Sequence, residues 1–360
     1  MIKHYFCWVF VLLLIIILPS CRRTEPVTDA DAKELAMQLE KSVRNENPQV
    51  LYNIFDRDGL KKNIQNQGPN LSSAQVNEVV STTVLNEFGD QIIGAAKDGS
   101  YKMIRIYDDS GRKHMLFRMF GEGGLNYHDY TLIKVNGSVK ADDLYTYLSG
   151  EEISKTLANL ISVTDGKDAS NGSDEAQAIV KIADYKKKAD YTAEINLFKT
   201  LDSKVQKNKS LQLLFIDASK HISDDDYKHA LEGFAALYPN DPNTYLLMLD
   251  VYYLNKEFDK AMFAINKLDS IVKGDPLLDL YRGNIYKEMG QAAESRASYE
   301  KCFAYDPYIK NNMQQLAASY ADSSQYDKAK AVITKYKQNP KFKDDDITPL
   351  YTLYPALKDN

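Results

Sequence analysis

Cysteine is scarce in this chain. Its 360 residues include only Cys7, Cys21 and Cys302, and no Cys/His spacing suits zinc. With Cys7 and Cys21 in the N-terminal leader, Cys302 alone remains in the body of the chain, so a mature monomer has no internal disulfide. Cys302 falls at a small-residue packing position and reads as a buried hydrophobe rather than a reactive thiol. A membrane-spanning run is also missing. The apolar stretch from Tyr5 to Leu18 is shorter than the roughly 20 residues a span needs, and suits a signal-peptide core. No basic block stands out and the formal net charge is −5, which argues against a nucleic-acid partner, since that needs a clustered cationic face. Gly121-Glu-Gly-Gly lacks the Lys-Ser/Thr of a phosphate loop and reads as a hairpin turn. Asp224-Asp-Asp and Asp344-Asp-Asp lack the alternate spacing, central glycine and distal glutamate of a calcium loop. They read as solvated helix starts, where carboxylates are favoured. No metal and no cofactor is expected.

What is present divides in two, as the length suggests. A tether over 22–30 precedes an α+β domain over 31–150. A helix from Asp31 has Ala32, Leu35, Leu39 and Val43 on one face. Asn47-Pro48 starts a second helix, with Val50, Leu51, Ile54 and Phe55, that runs to the break at Gly68-Pro69-Asn70. Ser72 and Gln75 cap a longer third one, with Val76, Val80, Val84 and Ile92 as its face. The period then changes to two. Tyr101–Tyr107, Lys113–Phe120, Leu125–Val135 and a fourth run ending near Leu148 read as strands, with Asn136-Gly137 the strongest hairpin signal. Helices packed on a curved antiparallel sheet are expected. Ser149 and Glu152 cap a connector helix, which with a polar linker fills 151–175.

From 176 to 340 the pattern is helical and recurs. Asp279-Leu-Tyr-Arg-Gly-Asn-Ile-Tyr-Lys-Glu-Met-Gly and Gln291-Ala-Ala-Glu-Ser-Arg-Ala-Ser-Tyr-Glu-Lys-Cys-Phe-Ala-Tyr-Asp-Pro form two amphipathic segments with small residues at Gly283, Ser295 and Cys302. Tyr252, Tyr286 and Tyr320 are 34 residues apart, as are Ala261, Ser295 and Ala329. Tyr227–Phe234 marks an earlier unit, and Tyr185, Tyr191 and Phe198 a degenerate one before it. Residues 341–360, with Leu350, Tyr351 and Tyr354, are expected to cap the open end.

This register resembles the tetratricopeptide repeat, a helix–turn–helix unit of about 34 residues that stacks into an all-α solenoid. The resemblance implies a concave face, lined by the first helix of each unit, that holds a partner protein or peptide. Mapped by register, that groove is expected to comprise Leu246, Asp250, Tyr253, Leu280, Asn284, Lys287, Gln314 and Ala318. The element order of 30–150 resembles the nuclear-transport-factor-two-like or cystatin-like cone. Leu18-Pro-Ser-Cys21 looks like a bacterial lipobox. That likeness implies lipid on Cys21 and a chain held to a membrane of the cell envelope, with Arg22-Arg23 favouring the periplasmic face over the cell surface. An uncleaved anchor helix and an ordinary secretory signal remain open alternatives. No enzyme is expected. The competing reading, of another class, is a small-ligand site or enzyme in the α+β domain around His114, His128 and Asp129, with Tyr127 and Tyr130 nearby and the repeats as support.

Overall fold

The structure is a computed structural model and describes residues 23–358 apart from 69, 98, 122–123, 165–173 and 240. The expected leader and Cys21, the expected lipid-attachment residue, lie outside the described residues. So do the central residues of the Gly121–Gly124 turn and most of the expected linker.

Part of the expected tether is already structure. Thr24–Glu25 (β1) pairs with the end of the third long strand, Thr24 opposite Val135. Asp29–Arg44 (α1) follows. Thr28 caps it, accepting from Asp31 N at 3.1 Å and donating its own N–H to the Asp31 carboxylate at 3.0 Å, a reciprocal capping box. Its expected stripe Ala32, Leu35, Leu39 and Val43 is buried.

The second helix is two. Gln49–Tyr52 (α2) stops, and Arg57–Gln67 (α3) begins only after an extended step. That step is held by Ala141: Asp56 N donates to Ala141 O at 2.7 Å and Ala141 N to Ile54 O at 2.8 Å. Pairing with a distant strand overrides local helix continuation, which no local periodicity can announce. The third helix is also two, Ser73–Val79 (α4) and Thr82–Ala95 (α5). Ser81 caps the second by accepting from Val84 N, a bond that competes with an unbroken helix. The restart shifts the phase, so Leu85 rather than Val84 is buried alongside Val76, Val80 and Ile92.

Ser100–Asp109 (β2), Arg112–Gly121 (β3), Gly124–Val135 (β4), Ser138–Thr146 (β5) and Glu151–Glu152 (β6) form one antiparallel sheet in chain order. Asn136 and Gly137 turn the third hairpin with φ of 50° and 78°, as Asn-Gly predicts. Ile153–Thr164 (α6) was expected as a connector capped from Ser149. Instead Glu151 and Glu152 pair with β5, and Leu157, Ala158 and Ile161 complete the core of the first domain.

Among the described residues the solenoid comprises five helix pairs: Asp174–Lys187 (α7) with Tyr191–Thr200 (α8), then, after the short Ser203–Gln206 (α9), Lys209–Lys220 (α10) with Asp224–Leu237 (α11), Pro242–Leu254 (α12) with Phe258–Val272 (α13), Leu278–Glu288 (α14) with Ala292–Tyr305 (α15), and Lys310–Ala321 (α16) with Tyr326–Tyr336 (α17). Its turns repeat in detail. Lys256, Gly290 and Ser324, one unit apart, are left-handed with φ of 59°, 74° and 58°. Just after each, the N–H of Glu257, Gln291 and Gln325 returns to the carbonyl of Tyr252, Tyr286 and Tyr320. Ala189 and Asp190 repeat the arrangement against Tyr185, so the degenerate first unit has the same turn.

Inside each pair the small residues let the helices close. Ala261, Ser295 and Ala329 are buried, and Ser295 Oγ donates to Gly283 O at 2.9 Å. Burial pushes the Cys302 thiol up to about 12, in keeping with a packing role. Thr348–Leu353 (α18) and the short turns around it close the far end, with Leu350 and Leu357 buried on the last pair. One expectation fails here. Asp346 is not a solvated helix start but is enclosed, accepting from Tyr336 Oη at 3.0 Å and Lys343 N at 3.1 Å. The chain is thus an α+β unit with an antiparallel sheet, followed by an all-α tetratricopeptide-type solenoid.

The tightest of these contacts gives a test. A Cβ on Gly283 would lie 2.4 Å from Tyr299 Cε1. Gly283→Ala should lower stability by about 1–3 kcal/mol in urea denaturation, overpacking outweighing the gain in helix propensity.

Candidate partner-binding face

The face that holds the expected groove is governed by what the sheet does with its second side. Alternate residues of β3 point opposite ways. Met115, Phe117 and Met119 face α1–α6 and are packed solid with Tyr130, Leu132 and Leu144. Leu116 faces the repeats. It shares one core with Leu125, Tyr127 and Tyr147 of the sheet region and with Leu246, Leu277, Leu278 and Leu280 of the solenoid. The two units are therefore not joined by a linker alone. They share a core.

Aspartates in the loops before successive first helices mark the junction. Arg118 Nη1 donates to Asp275 Oδ1 at 2.5 Å with both side chains at 0% exposure, and Tyr127 Oη donates to Asp275 Oδ2 at 2.8 Å. Lys102 Nζ donates to Asp306 Oδ2 at 2.5 Å. At the third loop, Asn243 Nδ2 donates to Leu148 O at 3.1 Å, and Gly150 sits so close that a Cβ would lie 2.8 Å from Asp241 Oδ1. Sequence reasoning missed these residues. Asp241 and Asp275 are one repeat apart, which was a signal. That Arg118 would meet Asp275 was not readable.

The eight expected groove residues accordingly divide. Leu246 and Leu280 are buried in the shared core, so no partner reaches them. Gln314 Nε2 donates to Asp346 O at 2.7 Å and is occupied by the cap. The other five are exposed or half-buried. Asp250 is exposed and accepts from Tyr227 Oη at 3.1 Å, and surrounding protein raises its carboxyl pKa by desolvation. Tyr253 is 37% exposed. Asn284 Oδ1 accepts from Tyr299 Oη at 2.8 Å, and Lys287 Nζ donates to Gln315 Oε1 at 2.9 Å. Ala318 is half-buried on the last unit. The beginnings of α12 and α14 are thus covered and their ends are free.

The residues of the competing reading do not form one site. Asp129 is on the side of the repeats, accepting from Tyr107 Oη and lying 3.2 Å from His114 Nδ1. His128 is on the other side, enclosed. Asn126 Oδ1 takes the N–H groups of Tyr127 and Leu148 at 2.8 and 2.9 Å, so its Nδ2 must face His128 Nε2, 3.2 Å away. Nε2 is then an acceptor and Nδ1 carries the proton toward Tyr101 Oη at 3.0 Å, which in turn meets Tyr130 Oη at 2.6 Å. Burial lowers the His128 pKa from 6.5 to about 4. Among the described residues no group of His, Cys, Asp and Glu could hold a metal ion, and no helix is long and apolar enough to cross a membrane.

Comparison with known proteins finds a family likeness for one segment. Residues 282–308, the unit of α14 and α15, match the tetratricopeptide repeat family. No curated relative matches the chain. Among solved structures, the crystal structure of MamA protein is 17% identical, covers 48% of this chain and 98% of its own, with a TM-score of 0.40. A thermophilic TPR protein of Thermus thermophilus is 18% identical, covering 51% of this chain and 100% of its own, with a TM-score of 0.36.

Two outcomes follow. Asp275→Ala leaves Arg118 charged and buried, and should cost about 3–5 kcal/mol in urea denaturation, most of it recovered in Arg118→Met/Asp275→Ala. His128 binds its proton less readily folded than unfolded, so its share of stability is present above pH 6.5 and is lost as pH falls toward about 4. Between pH 7 and pH 5, His128→Gln should therefore lose about 2 kcal/mol less than the unaltered protein.

Proposed function

We propose that the protein is a membrane-anchored scaffold, held to the cell envelope through lipid on Cys21, that holds a partner protein or peptide on the first-helix face of its solenoid. One observation carries this reading. Asp250, Asn284 and Ala318 recur at intervals of 34 residues, as do Tyr253 and Lys287, and the five are exposed or half-buried on a face whose other half is covered. A row of open groups repeating once per unit suits an extended segment laid across the units, which takes hydrogen bonds and apolar contacts from each in turn. The lipobox-like tetrapeptide supports the anchor, and Arg22-Arg23 beside it favour the periplasmic face.

The alternative, a small-ligand site in the α+β domain, has its own observation. A polar depression of about 260 Å³ is lined by Asn63, Arg112, Thr131, Asp143 and Glu152. The interior of the curved sheet is filled by Met115, Phe117 and Met119, which favours the scaffold.

The test is crosslinking in the native cells followed by identification of what co-purifies. Tyr253→Ala/Asn284→Ala should cut recovery of the dominant partner by about tenfold, with the circular dichroism spectrum unchanged. Lys267→Ala, an exposed site on a second helix, should leave recovery intact. Cys21→Ala should release the protein from membranes. Undiminished capture by the double variant would overturn the assigned face, and a Cys21→Ala protein still firmly on the membrane would overturn the anchor.

A further inference from the structure

We infer that the anchored chain rests on the bilayer itself, with the β4–β5 hairpin at Asn136-Gly137-Ser138 set against the phospholipid headgroups. This placement rests on the lipid anchor proposed above and adds the surface of the protein that meets the membrane.

A domain that floats above its lipid needs a run of free residues, and the fold leaves almost none. Arg23 is already clamped to the hairpin: its N–H donates to Asn136 Oδ1 at 3.2 Å, and its carbonyl accepts from Asn136 N at 2.9 Å. Thr24 and Glu25 pair with Val135 and Lys134. Val27 packs on the core of the first domain. Asp29 and Asp31, at the start of α1, are held by Lys113 at 2.7 Å and Lys134 at 2.9 Å. In the sequence only Arg22 stands between Cys21 and this clamp.

That leaves little distance to cover. Two residues of fully extended chain span at most about 7 Å. The headgroup layer on one side of a bilayer is itself roughly 5–8 Å deep. A lipid on Cys21 puts its acyl chains in the hydrocarbon, so Cys21 sits among the headgroups and draws Asn136 to them. The solenoid is kept away. Its contacts at Lys102, Arg118 and Tyr127 lie at the other end of the sheet, and Tyr127 is separated from Asn136 by about 30 Å of β4.

The chemistry of the hairpin suits that position. Asn136, Gly137 and Ser138 are exposed, and residues 134–140 include no Asp or Glu. Lys134 is matched by Asp31, while Lys140 has no acidic partner among the described residues. The Arg23 side chain is 79% exposed, 3.3 Å from Glu25. Amide, hydroxyl and ammonium groups all donate to phosphate oxygens, and Arg22 and Lys140 add attraction to anionic lipids. The β2–β3 turn is less suited. It carries the exposed Asp108 and Asp109; Lys113 meets the first at 2.7 Å, and no basic side chain among the described residues meets the second. Anionic headgroups therefore favour the hairpin over that turn.

The experiment uses the full chain purified from its native cells and placed in vesicles of phosphatidylethanolamine and phosphatidylglycerol that carry a nickel-chelating headgroup lipid. A nitroxide is attached at Ser138→Cys or, as control, at the exposed Lys267→Cys on α13. Cys302 is fully buried and takes no label. Flotation with the vesicles is read first. A chain that does not float overturns the anchor, and the hairpin contact with it. In the floating chain the nickel lipid should speed relaxation of the label at Ser138 and leave the label at Lys267 unchanged. A Gly/Ser insertion of about 12 residues after Arg22 adds about 20 Å of reach. It should abolish the effect at Ser138 while flotation persists. No excess relaxation at Ser138 over Lys267, or an effect at Ser138 that survives the insertion, overturns the hairpin contact and leaves the anchor standing.

Discussion

A single buried ion pair sets the geometry of this protein. Arg118 and Asp275, both fully enclosed, join the sheet to the loop before α14, and Tyr127 takes the second oxygen of the same carboxylate. Such a pair is a weak source of net stability, because both charges must leave water. Arg118 Nε and Nη2 even lack hydrogen-bond partners among the described residues. What the pair supplies is position. An arginine on one strand can meet this carboxylate in one register only, and a slipped docking would leave two charges buried and alone. The apolar contacts of Leu116, Tyr127, Leu277 and Leu280 provide attraction, and the ion pair selects among the ways of using it.

That position decides which part of the solenoid is available. The sheet covers the beginnings of α12 and α14, and the cap occupies Gln314 on α16. A solenoid of this kind would otherwise offer the whole length of its first helices. Here the chain fills one half itself and leaves the other. The arrangement also gives the first domain a role that needs no pocket of its own. On the proposed reading it is a brace, touching the loops before α12, α14 and α16.

Legibility in the sequence followed the range of the interaction concerned. Features within one repeat were readable, because the Tyr–small-residue spacing is local and recurs. The hairpin at Asn136-Gly137 was readable for the same reason. The break between α2 and α3 was not, because Ile54 and Asp56 are drawn out of helix by Ala141, far along the chain. The candidate face shows the same division. Register placed Asp250, Tyr253, Asn284 and Lys287 on first helices and left them open. It placed Leu246 and Leu280 there equally well, and could not know that the sheet would bury them. The near-continuous apolar run around Arg118 does carry a hint of burial on both sides of the strand, but not the identity of the second cover.

The most direct measurement of the central claim is hydrogen–deuterium exchange on the full chain, alone and with the partner recovered from its own cells. The account expects added protection on peptides covering 250–254, 284–288 and 315–322, with the strands around Arg118 unchanged because they are already enclosed. Protection confined to the first domain, with those three segments exchanging as before, would contradict it.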